Sequence, residues 1–206
     1  MIDYKVISLR TLLDNLGEND TKLDNILKRF SCQNEKDLET FLHSKAIIYE
    51  KSNIGKTFLL VDEKELEDNN FKIIGFFTLG ITSIDISNIS SSRRRKMLGS
   101  IPGRDKLSSI SAYLIGQLGR CDSYSKEKLP GEIILKEAYA AIDRAIEVIG
   151  GNLLILECRE HMFSKFYEKY DFYTFVINPH KTNCPKKVNY FLVFLRFFLL
   201  FLLKTN

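Results

Sequence analysis

The chain has 206 residues, of which 45% are hydrophobic and 27% are charged, with four prolines and no tryptophan. This composition excludes collagen-like, disordered and disulfide-stapled classes, because a chain of this length can bury a sizeable core. The net charge of +4 is too small to indicate nucleic-acid binding by itself. The four cysteines form no CxxC pair and the start MIDYKVISLR lacks a secretory signal, so we expect a cytoplasmic setting.

The first part of the chain predicts a strand and two stretches of helix. Residues 5–9 alternate as a strand does, and leucines at helical intervals over 12–30 predict a broken helix. We expect Asn34 to cap a further helix, whose apolar positions recur at helical spacing and which Gly55 ends. Its apolar positions are Leu38, Phe41, Leu42 and Tyr49.

The middle of the chain predicts an antiparallel hairpin followed by a polar excursion. Residues 56–62 and 72–80 are rich in β-branched and aromatic side chains, and an acidic, Asn-containing connection joins them. Residues 83–106 are largely polar and contain the basic run Arg93-Arg94-Arg95-Lys96. We expect this excursion to be partly helical.

A strand and a long helix follow. Residues 109–119 are apolar and contain Gly116 and Gly119, and glycine inside a strand indicates a bulge or a close backbone approach. Residues 131–149 predict a helix that Gly150-Gly151 ends. Its expected apolar stripe comprises Ile134, Ala138, Ala141, Ile142, Ala145, Val148 and Ile149.

The last third of the chain predicts a buried strand over 152–158, a helix over 159–170 and a strand over 172–177. An apolar run follows at 190–203. It is too short for a membrane span and has Arg196 at its centre, so we expect no transmembrane anchor there.

The connection from the glycine-containing strand to the long helix suits a pyrophosphate. A helix amino terminus presents unpaired N–H groups and the positive end of a dipole, and Pro130 pre-sets the first turn. Gly131 admits close approach, while Lys126 and Lys128 can neutralise phosphate charge. An ordinary strand-to-helix connection with solvated lysines explains the same residues, so this evidence alone leaves both interpretations open.

An element at residues 30–32 and three later pieces in the right order resemble the GNAT superfamily of N-acetyltransferases, in particular the branch that includes toxins of toxin–antitoxin systems. Phe30-Ser31-Cys32 and the following helix resemble the F-x-C element of that branch. YLIGQLGR resembles the cofactor strand, the loop into Gly131 resembles the pyrophosphate loop, and FYEKYDF resembles the C-terminal helix. The resemblance extends over about residues 24–175.

The resemblance implies an α/β fold with a mixed, mostly antiparallel sheet and helices on both faces. It implies a GNAT-like domain over 1–189, followed by the apolar tail 190–206, whose first part would be the last strand of the sheet. The implied activity is acetyl transfer from acetyl-CoA to a primary amine within one ternary complex, without a metal. The residues that it assigns to acetyl-CoA binding are Leu118, Gly119, Arg120, Lys126, Lys128, Pro130 and Gly131.

Tyr167 is the expected catalytic residue. Its phenol can supply a proton to the departing thiolate, since a tyrosine has a reference pKa of roughly 10 and a thiol one of roughly 8.5. A helical tyrosine that fills the core beside Phe166 is the alternative. Glu157 is a weaker candidate for the general base, on the premise that burial raises its pKa.

The chain departs from the family pattern in two places. The usual loop reads Q/R-x-x-G-x-G/A, whereas residues 126–131 read KEKLPG and keep only a basic first residue and the final glycine. Asp171 stands where the family commonly has glycine. We expect Leu129 to donate its backbone N–H to the cofactor, although it cannot offer the close approach of glycine.

Other functional interpretations remain open. The eroded loop favours a catalytically impaired binding or regulatory module. The acceptor is either an aminoacyl-tRNA, for which Arg93–Lys96 would contact phosphates, or a protein or small amine. The resemblance also leaves open a homodimer and an antitoxin partner. Zinc ligation is a further, weaker hypothesis, and its candidate ligands are Cys158, His161, His180 and Cys184.

Overall fold

The computed structural model describes residues 2–16, 21–170, 172–175 and 190–196. The strands are β1 Tyr4–Ser8, β2 Gly55–Asp62, β3 Ile73–Asp85, β4 Ser109–Arg120, β5 Leu153–Arg159, β6 Tyr173–Phe175 and β7 Tyr190–Arg196. The α-helices are α1 Leu9–Leu16, α2 Thr21–Lys28, α3 Lys36–Ser44, α4 Ala46–Lys51, α5 Glu63–Glu67, α6 Ser91–Leu98, α7 Gly131–Ile149 and α8 Glu160–Met162.

The strands form a seven-stranded sheet in the order β1-β2-β3-β4-β5-β7-β6. Strand β2 pairs antiparallel with β1 and β3, and β7 pairs antiparallel with β5 and β6. With its helices, this sheet has the predicted α/β class. The predicted hairpin is β2 and β3, and the acidic connection between them contains the short helix α5.

The chain divides into two compact units, one comprising residues 1–80 and 115–147 and the other 81–114 and 148–206. Strands β3 and β4 contribute to both. The first unit has an aromatic core in which the ring of Phe30 meets that of Phe76 edge-on at 5.1 Å, while the Phe41 ring is parallel to that of Phe76 at 6.4 Å. These contacts hold α3 and the Phe30 segment against β3.

Three expectations about the helix after Asn34 are wrong. Asn34 lies inside a 3-10 turn, Gln33–Glu35, and Glu35 is the residue that precedes α3. The predicted single helix is two, α3 and α4, and Gly55 begins β2 instead of ending a helix. A Cβ on Gly55 would lie 3.2 Å from Thr78 and 3.3 Å from the Leu79 carbonyl oxygen, so packing between strands explains this glycine.

Helix α7 has the predicted bounds but a shorter buried stripe. Its first turns bury Ile134, Leu135, Ala138, Ala141 and Ile142. Val148 and Ile149 were expected in the stripe, yet their side chains are 83% and 62% exposed. Gly150 and Gly151 follow with φ of +71° and +111°, a backbone that ends the helix as predicted.

The second unit has its own apolar core, which β3, α6, β4 and β5 supply. Its buried members are Ile84, Ile86, Met97, Leu98, Ala112, Leu153 and Ile155. After β5 the predicted regular helix is replaced by α8, a π-helical turn Phe163–Tyr167 and a 3-10 turn Glu168–Tyr170. The first part of the apolar carboxyl-terminal run is strand β7, and the expected domain limit at 189 stays a prediction.

Candidate functional site

The end of β4 lies over the aromatic core of the first unit. A Cβ on Gly119 would lie 3.1 Å from Leu38 Cδ1 and 3.2 Å from Phe76 Cε1. The close approach predicted at Gly119 is therefore made by core side chains. Gly116 is exposed, and a Cβ there would meet only the Thr78 carbonyl oxygen, at 3.9 Å.

Residues 121–130 connect β4 to α7. The side chains of Lys126 and Lys128 are exposed in this loop, and Pro130 directly precedes the first residue of α7, Gly131. Arg120 Nη1 donates to the Leu129 carbonyl oxygen at 3.2 Å. Arg120 therefore shapes the loop, whereas the two lysines present their charge to solvent.

The expectation that Leu129 offers its backbone N–H to a ligand is wrong. That N–H donates to the Ser125 carbonyl oxygen at 3.0 Å. The Leu129 side chain is fully buried, and its Cδ2 would lie 3.3 Å from a Cβ added at Gly75 of β3. Leu129 thus closes the loop and anchors it in the core.

Two residues that the sequence did not indicate hold the same loop. The Tyr124 hydroxyl donates to Asp62 Oδ2 at 2.8 Å, and both side chains are buried. The Lys72 ammonium lies 5.2 Å from the centre of the Tyr124 ring. Asp62 and Tyr124 are 62 positions apart, and their contact depends on the pairing of strands, which no local pattern reveals.

Tyr167 lies in the second unit, at the end of the π-helical turn. Its side chain is 8% exposed, and its ring meets those of Phe166 and Phe172 edge-on at 4.9 and 5.5 Å. Burial raises the pKa of Tyr167 above its ordinary value, and Cys158 adds to this shift. The phenol is therefore protonated at neutral pH. Single π-helical turns are often found at functional sites.

The premise for Glu157 as a general base is wrong, because its side chain is exposed on β5. Beside it, burial raises the pKa of the Cys158 thiol to about 11, so this cysteine is an inert core residue. His180 and Cys184 of the zinc hypothesis lie outside the described residues. Within the described ranges, no group of three or more His, Cys, Asp and Glu side chains could hold a metal ion.

The basic run of the excursion does not act as one solvated face. Arg93, Arg95 and Lys96 are exposed on α6, but the Arg94 side chain is only 7% exposed. The Arg94 guanidinium donates to main-chain carbonyl oxygens on both sides of α6, at 2.6 to 3.2 Å. These carbonyls belong to Ile86, Ser87, Ile89, Arg104, Asp105 and Leu107.

No family model matches the chain, and no curated protein matches its sequence. Solved structures do match it over nearly its whole length. AtaT complexed with acetyl-methionyl-tRNAfMet is 19% identical with a TM-score of 0.69, and the match covers 98% of this chain and 100% of that one. A tyrosine-to-phenylalanine mutant of KacT is 17% identical with a TM-score of 0.68, covering 97% and 98% of the two chains.

A third structure is a tyrosine-to-phenylalanine mutant of the AtaT toxin, bound to the C-terminus of the antitoxin AtaR and to acetyl-CoA. It is 16% identical to this chain with a TM-score of 0.65, and the match covers 99% of each chain. These likenesses confirm the predicted fold, that of the GNAT toxin acetyltransferases AtaT and KacT. Among the described residues, no helix is long and apolar enough to cross a membrane.

Proposed function

We propose that this chain, which has the fold of the GNAT acetyltransferase toxins, transfers an acetyl group from acetyl-CoA to a primary amine. The observation that carries the proposal is the connection between β4 and α7. There the exposed Lys126 and Lys128 lie in the loop five and three positions before Gly131, the first residue of a 19-residue helix. Cations beside a helix amino terminus form an environment that suits phosphate.

The donor set of the first unit fits the pyrophosphate of acetyl-CoA. The amino-terminal end of α7, at Gly131, carries the positive end of the helix dipole, and Lys126 and Lys128 would add charge. The Ile133 N–H of this turn already donates to the Pro130 carbonyl oxygen at 3.0 Å. Main-chain groups of Leu118, Gly119 and Arg120 would pair with the pantetheine amides as an added strand does. Arg120 would act through the loop, since its guanidinium donates to Leu129.

Bound acetyl-CoA would supply a thioester carbonyl as the acetyl donor. A main-chain N–H among residues 118–120 would donate to the thioester oxygen and stabilise the charge that develops on it. An acceptor amine would attack directly, and water would receive its proton. No described side chain is assigned to that task, because Glu157 is exposed and lacks the expected burial.

Tyr167 would hold the proton that the departing sulfur needs. Burial keeps its hydroxyl protonated, but the raised pKa makes it a weaker acid than a thiol of roughly 8.5. Complete transfer of the proton is then unfavourable in that environment. The role that agrees with both facts is a hydrogen bond from the Tyr167 hydroxyl that strengthens as negative charge grows on sulfur.

The binding-module alternative is favoured by Leu129. The family has a glycine at this position, whereas here the side chain is buried and the N–H donates to Ser125. One donor of the usual pyrophosphate loop is therefore already used. A chain that had lost acetyl-CoA binding could keep the fold and serve as a regulatory module.

Thermal unfolding with and without acetyl-CoA separates the two functions. A ligand at about a hundred times its dissociation constant adds about 2.7 kcal/mol, which raises the melting temperature of a domain of this size by about 5 to 10 °C. We expect this shift in the wild type and its loss in Gly131→Glu. The control is Ser91→Glu, which adds the same charge at the first turn of α6. A well-folded wild type without a shift would favour the binding module.

We further propose an aminoacyl-tRNA as the acceptor, because Arg93, Arg95 and Lys96 expose their charges on one short helix. Replacing Arg93 and Arg95 with alanine should lower the rate of acetylation of an aminoacyl-tRNA and make that rate less dependent on salt. The rate of acetylation of a small amine should be unchanged. Lys45→Ala is the matched control at an exposed cation of the first unit. Equal effects on both acceptors would support a protein or small amine instead.

An antitoxin partner, a homodimer and a cytoplasmic location belong to the same proposal. The antitoxin is supported by the AtaT structure that contains the C-terminus of AtaR. The cytoplasmic location is supported by the free state of the described cysteines, Cys32, Cys121 and Cys158. The mass of the purified chain in solution tests the homodimer. The mass of a mixture of the chain with the product of an adjacent reading frame tests the antitoxin.

A further inference from the structure

The loop that would bind the pyrophosphate is anchored at its start. The Cys121 N–H donates to the Ile74 carbonyl oxygen at 2.8 Å, which continues the contact of β4 with β3. The Asp122 N–H donates to the Ser31 carbonyl oxygen at 2.9 Å, and Asp122 Oδ2 accepts from the Gln33 N–H at 2.7 Å. Residues 121 and 122 are thus held on two sides by main-chain groups.

Tyr124 provides the next anchor, through its side chain. Its hydroxyl donates to Asp62 Oδ2 at 2.8 Å, and the exposed fractions of Tyr124 and Asp62 are 6% and 7%. Asp62 is itself fixed, because its Oδ1 accepts from the N–H groups of Lys64 and Glu65 at the start of α5. The tyrosine therefore joins the loop to a rigid corner between β2 and α5.

The lysine-bearing turn begins at the residue after Tyr124. The Ser125 carbonyl oxygen accepts from the Leu129 N–H at 3.0 Å, and the main-chain N–H of Lys128 donates to Ser125 Oγ at 3.4 Å. Lys126 and Lys128 lie within this closed turn. The main chain at these lysines is held through Ser125, which directly follows Tyr124, and by the Ile2 N–H, which donates to the Lys128 carbonyl oxygen at 3.2 Å.

We propose that the Tyr124–Asp62 hydrogen bond positions the pyrophosphate loop and takes the place of the family glycines that this loop lacks. The inference rests on the proposed function, since it assigns these residues to the same acetyl-CoA site. Glycine has more backbone freedom to lose than any other residue, so a glycine-rich loop has a high entropic cost when it is held around a phosphate. A loop that a buried side chain orders beforehand loses less conformational entropy on binding. Tyr124 and Asp62 are positioning residues, because they act through Ser125 and its turn.

Tyr124→Phe removes the hydrogen bond and keeps the buried ring. Tyr4→Phe is the matched control, since the Tyr4 hydroxyl also donates to a carboxylate at 2.8 Å, that of Glu137, in the same unit. Calorimetry with CoA should show about tenfold weaker binding for Tyr124→Phe and binding within twofold of the wild type for Tyr4→Phe. In kinetics, the KM for acetyl-CoA should rise about tenfold while kcat stays unchanged.

A truncated donor separates positioning from general destabilisation. S-acetyl-pantetheine lacks the pyrophosphate, so its kcat/KM should be equal in Tyr124→Phe and the wild type. Asp62→Asn keeps one oxygen for the N–H groups of Lys64 and Glu65, and its amide NH2 can donate to the Tyr124 oxygen in place of the lost acceptor. This variant keeps a hydrogen bond at the corner, so it should bind CoA more tightly than Tyr124→Phe does.

The outcomes distinguish this inference from the proposed function. If the wild type binds no CoA, the proposed function is overturned, and the positioning role of Tyr124 is overturned with it. If the wild type binds CoA, but with an affinity no higher than that of Tyr124→Phe, only the positioning role is overturned. The same role is overturned if Tyr124→Phe loses activity equally with the truncated donor and with acetyl-CoA, because the damage would then not concern the pyrophosphate.

Discussion

Arg94 Nη1 donates to the carbonyl oxygen of Leu107 at 2.6 Å, across 13 positions of the chain. The other terminal nitrogen, Nη2, donates to the Ile86 carbonyl oxygen at the same distance. One buried cation thereby joins the segment that follows β3 to the segment that precedes β4. Main-chain carbonyls are obligatory acceptors, and a guanidinium is the side chain that can satisfy several of them together.

We expect Arg94→Leu to destabilise the protein by about 3 kcal/mol or more, because carbonyls in a partly buried region would lose their donor. Arg93→Leu and Arg95→Leu change the same residue type at exposed positions of the same helix. Each should shift stability by no more than about 0.5 kcal/mol. Urea unfolding of the three variants measures the difference, and equal midpoints would show that Arg94 does not hold the excursion together.

Valine should lower the stability of the protein at position 119 and should not lower it at position 116. Gly119→Val places methyl groups against Leu38 and Phe76, and overpacking of this kind costs about 1 to 3 kcal/mol. At Gly116 the nearest described atom to an added Cβ is the Thr78 carbonyl oxygen, at the ordinary contact distance of 3.9 Å, and valine has the higher strand preference, so the stability of Gly116→Val should be unchanged or raised. Thermal unfolding compares the pair. If Gly116→Val loses more stability than Gly119→Val, contacts other than those with Leu38 and Phe76 limit the size of side chain that β4 tolerates.

Replacing Lys126 and Lys128 together with alanine should weaken acetyl-CoA binding more at low salt than at high salt. The reason is that exposed charges are screened over about 10 Å at 0.1 M salt. Calorimetric titrations at two salt concentrations measure the effect, and Lys136→Ala on the exposed face of α7 is the control. Unchanged affinity at low salt would place the pyrophosphate elsewhere.

Tyr167→Phe should lower kcat and leave the affinity for acetyl-CoA nearly unchanged, since the phenol is assigned to the departing sulfur and not to cofactor binding. Phenylalanine keeps the ring of this buried side chain and removes only the hydroxyl, so the variant keeps the packing of the ring. Phe166→Leu, a neighbour in the same turn, tests whether packing alone affects the rate. Equal turnover in wild type and Tyr167→Phe would leave the tyrosine a core residue only.

Tyr4 should make stability depend on pH in the alkaline range. Burial, followed by the hydrogen bond to Glu137, raises the pKa of Tyr4 from 10.0 to about 12. The unfolded chain then releases this proton at a lower pH than the folded one, so the Tyr4 contribution is complete below pH 10 and is lost between pH 10 and about 12. Unfolding midpoints measured over this range should fall less steeply in Tyr4→Phe. If the midpoints of the wild type and of Tyr4→Phe fall equally steeply with pH, the raised pKa of Tyr4 is contradicted.

Much of the fold could be derived from the sequence, because local patterns decide it. The bounds of α7 follow from an apolar stripe, Pro130 and the two glycines at its end, and these signals act within the helix and its flanks. The hairpin of β2 and β3 follows from alternating β-branched and aromatic residues in the same way. The GNAT resemblance of three short pieces correctly indicated the fold that AtaT and KacT share.

Only the tertiary structure decided what individual polar residues and glycines do. The run Arg93–Lys96 is uniformly basic in sequence, but the fold turns Arg94 inward onto carbonyls and leaves its neighbours exposed. Gly119 is a packing residue because α3 and β3 approach it, and Tyr124 is an anchor because strand pairing carries Asp62 to it. Such roles depend on groups that are distant along the chain, and a local pattern carries information only about neighbours.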